Sequence, residues 1–138
     1  MSTFRLRRPH LGEHDPDDRR RVMDVVGRRR GPVSKDDVAA LLTIAARPSG
    51  ASRKIALDVL GFVARGDAAV ADAVRRLFEG RLDQPWIARS DALAPGRIGV
   101  ADAATLALLV RARKLKPGTR TLRVASKAAL RDLGRPGL

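Results

Sequence analysis

The side chains with chemical potential in this chain fall into three groups. His10 and His14 stand four residues apart, beside Glu13 and Asp15, a spacing that on one helix face presents two metal ligands. Pro9, Gly12 and Pro16 interrupt any helix there, so no metal site is expected. Asp17-Asp18 and Asp36-Asp37 are carboxylate pairs at predicted helix starts, where the helix dipole alone accounts for them. The third group is cationic: Arg19, Arg20 and Arg21; Arg53 and Lys54; Arg89; and Lys114, Lys116, Arg120, Arg123 and Lys127. Guanidinium and ammonium groups at successive helical turns follow a charged backbone and supply affinity without reading sequence.

Enzymatic chemistry finds no footing. Cysteine is absent, which removes a thiol nucleophile, a disulfide framework and a cysteine metal site. There is no glycine-rich phosphate loop and no nucleophile elbow, so neither catalysis nor a cofactor is expected. The balance of 28 basic against 15 acidic residues gives a net charge of +13, which favours a polyanionic partner. Its distribution is uneven: net +4 over residues 1–30, +2 over 31–65, 0 over 66–98 and +7 over 99–138. Arg far outnumbers Lys, so codon bias competes with function as the source of the excess. The N-terminal stretch lacks the apolar core of a secretory signal, and no segment approaches a membrane span. A cytoplasmic protein with no membrane contact is the expectation.

The elements that must position the cations are helices. Aromatics make up only 3% of the chain, so the core is aliphatic, rich in Leu, Val, Ile and Ala, which suits close-packed helices. Asp15 to Asp18 open a first helix that Gly31-Pro32 stops. Ser34 with Asp37 forms a capping-box pattern for a second helix to about Ala46. A third spans about 52–65, with Gly66 beyond it. Asp67 caps a fourth, on which Val70, Val74, Leu77 and Phe78 form one apolar stripe. A short fifth runs from Pro85 to about Leu93, ended by Pro95-Gly96. The sixth covers about Val100 to Leu115, and the seventh about Thr121 to Leu133, with Gly134 as its stop. No stretch reads as a strand.

The helices repeat. Lys54-Ile-Ala-Leu-Asp-Val-Leu-Gly61 aligns with Lys127-Ala-Ala-Leu-Arg-Asp-Leu-Gly134 at an offset of 73, with five of eight residues identical. Ala92-Leu93 and Arg89 match Ala56-Leu57 and Arg53 at an offset of 36, and Asp24-Val25-Val26-Gly27 matches Asp58-Val59-Leu60-Gly61 at 34. Val38, Leu41 and Leu42 map onto Val74, Leu77 and Phe78. A unit of two helices in about 36 residues lies within the range of helical repeats.

Over residues 17–134 this pattern resembles the HEAT family, whose second helix often opens with a charged residue and an Ala-Leu pair and carries Leu-Gly near its end. The matching residues are Arg53, Ala56, Leu57, Leu60 and Gly61; Arg89, Ala92 and Leu93; and Ala129, Leu130, Leu133 and Gly134. The family favours an acidic residue six before the charged one. Asp83 fits before Arg89 and Glu13 before Arg19, whereas Arg47 and Arg120 depart from it. The resemblance implies an all-α, short α-solenoid of about three antiparallel helix pairs, plus an extra N-terminal helix. A basic arm over residues 1–16 would precede it and a tail over 135–138 follow.

The resemblance further implies that the second helices line a concave binding face. The expected function is then a non-catalytic adaptor recognising a macromolecular partner, protein first. The alternative is a nucleic-acid-binding protein that uses its basic ends. Arg53 and Arg89 have two readings: a ridge meeting phosphates, or a ladder in which each Arg pairs with a carboxylate of its own or the next unit. Ala56, Leu57 and Leu60 should form the seam between units, and Gly61 should mark the close approach of a neighbouring helix. Trp86, Arg89 and Asp91 could be fitted to the mould of the HEAT-like alkylpurine DNA glycosylases, but no Tyr and no second Trp complete an aromatic cleft. Trp86 reads more simply as packing between units.

Overall fold

The computed structural model describes residues 15–28, 33–82, 84, 89–115 and 120–138. Within them the protein is all-helical: α1 (Asp15–Gly27), α2 (Lys35–Ala45), α3 (Ser52–Val63), α4 (Ala68–Arg81), α5 (Arg89–Ile98), α6 (Ala103–Arg113) and α7 (Arg120–Asp132). His10, His14, Asp83, Trp86, Lys116 and the basic segment around Phe4 lie outside the described residues.

Local chemistry sets the helix starts. The Ser34 hydroxyl accepts from the Asp37 N–H at 3.1 Å and the Asp37 carboxylate accepts from the Ser34 N–H at 3.4 Å, closing the expected capping box. Asp67 accepts from the Ala69 and Val70 amides, and Asp102 from that of Thr105. Helix α3 has Ala51 at its cap and no capping side chain of its own. Its cap comes from 37 residues away: Asp15, at the start of α1, accepts from the Ser52 N–H at 2.9 Å. That hydrogen bond holds the Asp15 carboxyl below its ordinary range. At the far ends, Gly66 and Gly134 take the left-handed conformation that terminates a helix.

The helices pack in a regular order. Each of α2, α4 and α6 packs on the helix that follows it, α3, α5 or α7. In addition α1 packs on α3, α3 on α5, and α5 on α7, with lighter contacts from α2 to α4 and from α4 to α6. Ala56, Leu57 and Leu60 are fully buried, and Val70, Val74 and Phe78 are buried along α4. Each large aliphatic side chain withdrawn in this way stabilises the fold by roughly 1.5–3 kcal/mol. Helix α5 sits between two apolar clusters, giving Ala94 and Ile98 to one and Ala92 and Leu93 to the other.

Two glycines allow the close approaches along this row. A Cβ on Gly61 would lie 2.8 Å from Cβ of Arg97 on α5. A Cβ on Gly96 would lie 2.7 Å from Cα of Ala129 on α7. The second contact corrects the expected end of the fifth helix. Pro95-Gly96 does not stop α5, which continues to Ile98 and ends at Gly99, where φ is +83°. Pro95 removes one helical donor, but α7 packs directly over this turn, and the residue after the proline has no side chain to obstruct it.

Candidate polyanion-binding face

Most basic side chains in the first five helices are held by carboxylates. Arg21 and Arg28 reach Asp37 at 3.2 and 2.6 Å, and the Arg28 hydrogen bond is the main force holding that carboxyl below its ordinary range. Arg47 meets Asp18 at 3.1 Å, and Arg97 meets Asp58 at 3.0 Å across the Gly61 contact. On α4, Asp72 accepts from Arg75 and Arg76, and Glu79 accepts from Arg75.

The tightest group is internal. Asp91, 1% exposed, takes Arg81 on one carboxylate oxygen at 2.6 Å and Arg53 on the other at 3.6 Å. Arg81 also donates to the main-chain oxygens of Ala45 and Arg47. One buried cluster thereby joins α3, α4, α5 and the turn after α2. Burial pushes the Arg53 guanidinium down from its usual pKa, and the Asp91 charge opposes that shift.

This geometry corrects one expected binding residue. Arg53 is inside the fold, committed to Asp91 of the following helix pair, and cannot present its charge to a partner. Asp91 is equally closed to a substrate, since both its oxygens face guanidinium groups from within.

The other predicted cations divide. Arg19 and Lys54 are exposed on α1 and α3, and Arg89 is exposed at the first turn of α5. Arg20 is exposed and stands 3.7 Å from Asp17. Lys114 is exposed at the end of α6, beside Arg111 and Arg113, where cations complement the carbonyl end of a helix. Arg120, Arg123 and Lys127 are exposed on α7.

Helix α7 is the most one-sided of the seven. Leu122, Ala125, Ser126, Ala129 and Leu130 are buried. Arg120, Arg123, Lys127 and Arg131 form the opposite stripe, at i, i+3, i+7 and i+11, with Val124 among them, 58% exposed. None of the four cations forms an ion pair with a carboxylate among the described residues. Three neighbouring pairs on the stripe are like-charged at i, i+3 or i, i+4, an arrangement that weakens a helix by about 0.2–0.5 kcal/mol each. Arg120 opens the helix and no acidic residue occupies its first turn, so its positive end meets a positive charge. Arg131 is the member that sequence reasoning missed. In the repeat alignment it falls opposite Asp58, which hid its place on the stripe; the helical spacing from Arg120 would have found it.

A second surface feature lies at the C-terminal ends of α3, α5 and α7. There a cleft of about 420 Å³ is lined by Phe62, Arg65, Arg97 and Asp132, with Gly61 and Gly96 in its wall. Phe62 is 68% exposed. Gly66, just past α3, donates its N–H to the Ile98 carbonyl at 2.7 Å and ties the ends of α3 and α5 together.

Among the described residues no group of three His, Cys, Asp or Glu side chains is placed to hold a metal ion. No described helix is long and apolar enough to cross a membrane. No protein-family model, curated protein or solved structure matches the chain.

Proposed function

We propose that the protein is a non-catalytic binding module, a short HEAT-like α-solenoid whose terminal helix α7 lies against the phosphate backbone of a nucleic acid. The order of contacts supports the solenoid reading. Chain neighbours α2 and α3, α4 and α5, and α6 and α7 pack as pairs, and the second members stack on one another from α3 through α5 to α7. The short connections within these pairs favour antiparallel partners.

One observation carries the functional reading: the stripe Arg120, Arg123, Lys127 and Arg131, unpaired among the described residues and self-repelling along one exposed face. Codon bias explains an excess of arginine but not its segregation. The same composition yields neutralised arginines on α4 and unneutralised ones on α7. A polyanion relieves the repulsion and releases counterions as it docks. The polyanion reading does not extend to Arg53 and Arg97 of the stacked helices, which are held by Asp91 and Asp58.

Titrating the protein against labelled duplex and single-stranded oligonucleotides at increasing salt tests the reading. Affinity should fall linearly on a log–log plot, with a slope of about −3 to −4 for four phosphate contacts. Absence of binding to both at about 50 mM salt would remove nucleic acid as the partner.

A further inference from the structure

The cleft at the ends of α3, α5 and α7 has a character different from the stripe. We infer that it receives an unstacked nucleobase, so that the protein prefers single-stranded over duplex nucleic acid; this rests on the reading of α7 as a phosphate-binding face. The cleft volume of about 420 Å³ falls within the range of small-ligand sites.

Its chemistry selects the base rather than the phosphate. Three helices present their C-terminal ends here, and these carry partial negative charge. Asp132, the last residue of α7, adds a carboxylate. A phosphate is disfavoured against that wall, whereas the exocyclic amine of a base is a fitting donor to it. Phe62 supplies an exposed aromatic face, and bases stack on such faces irrespective of sequence. Arg65 is exposed on the rim and is placed to meet the phosphate of the stacked nucleotide. Arg97 is held by Asp58 and acts as wall. Asp132 directly follows Arg131, so the cleft and the last cation of the stripe lie at the same end of α7. A duplex keeps its bases stacked and paired and gives the cleft nothing to hold.

The test compares anisotropy titrations of about 20-nucleotide oligo-dC, oligo-dT and a duplex of equal length, at fixed low salt. Wild-type protein should bind oligo-dC about tenfold more tightly than the duplex. Phe62→Ala should erase that difference and leave duplex binding unchanged, while Phe62→Trp should preserve it. Asp132→Asn should narrow the preference for oligo-dC, whose base carries an exocyclic amine, over oligo-dT, whose base does not. Equal binding of single strand and duplex by wild type, unaffected by Phe62→Ala, overturns the cleft inference and leaves the α7 reading standing. Phe62→Leu behaving like Phe62→Trp overturns it too, since leucine is apolar but offers no stacking face. Failure to bind any of the three oligonucleotides defeats the α7 reading and the cleft inference with it.

Discussion

Helices α4 and α7 show two ways of wearing charge on an exposed face. On α4, Asp72, Arg75, Arg76 and Glu79 alternate so that each arginine finds a carboxylate one turn away. On α7, Arg120, Arg123, Lys127 and Arg131 occupy the same kind of positions with no acid between them. Both helices bury an apolar stripe, and both come from one arginine-rich composition. The difference is therefore in pattern. Helix α4 neutralises its charges within itself, while the like charges along α7 repel one another.

The interior repeats the contrast. At the offset of 73, Arg53 corresponds to Ser126. Arg53 is buried because the next helix pair offers Asp91. The equivalent position on α7 holds a small, uncharged serine, buried without any need for a counter-charge.

The largest way to probe this comparison is to strip the buried cation cluster of its acid. Asp91→Ala leaves Arg53 and Arg81 without that carboxylate and should destabilise the protein by about 3–5 kcal/mol, measured by urea unfolding. A loss below about 1 kcal/mol would show that Asp91 is not the centre of that cluster.

Next in size is Arg123→Glu, which should move stability and binding in opposite directions. It turns the repulsions with Arg120 and Lys127 into attractions and puts an acid near the positive end of α7, for a gain of about 0.5–1 kcal/mol. Nucleic-acid affinity should fall by at least about tenfold, with the salt slope reduced by about one or more. A variant that loses stability and keeps its affinity would place the purpose of the stripe inside the fold.

The smallest effect is expected on α4. The Asp72 carboxyl is held below its ordinary range, chiefly by the Arg75 hydrogen bond. A depressed folded pKa contributes stability above the usual carboxylate range, and that contribution is lost as pH falls through the folded value. Asp72→Asn should therefore melt slightly below wild type at neutral pH, and the gap should close under acid. A gap that widens on acidification would reverse the assigned direction.

How much of this was legible depended on sequence distance. The caps at Ser34 and Asp67, the stripe on α4 and the burial of Ala56, Leu57 and Leu60 rest on neighbours within a turn or two, and the residue pattern revealed them. The packing reason for Gly61 was readable because a glycine inside a helix, well before its end, has no capping use. Pro95-Gly96 was misread because local rules treat that pair as a stop, whereas its role is fixed by Ala129, far along the chain. Arg53 could not be assigned to ridge or ladder, since the deciding carboxylate lies 38 residues away on another helix. The cleft left no signal at all: Phe62 is one apolar residue near a helix end until three helix ends converge beside it.

Gly61 and Gly96 also fix the spread of the helix row. Both line the cleft wall, and each is a point where one helix rests directly on the next. A side chain at either place would act as a wedge, prying two helices apart near their C-terminal ends and tilting them about the packed core. The mouth of the cleft would widen although no charge and no aromatic had changed. Its calibre is thus set by two positions with no side-chain atoms, and a single methyl group there is enough to retune it.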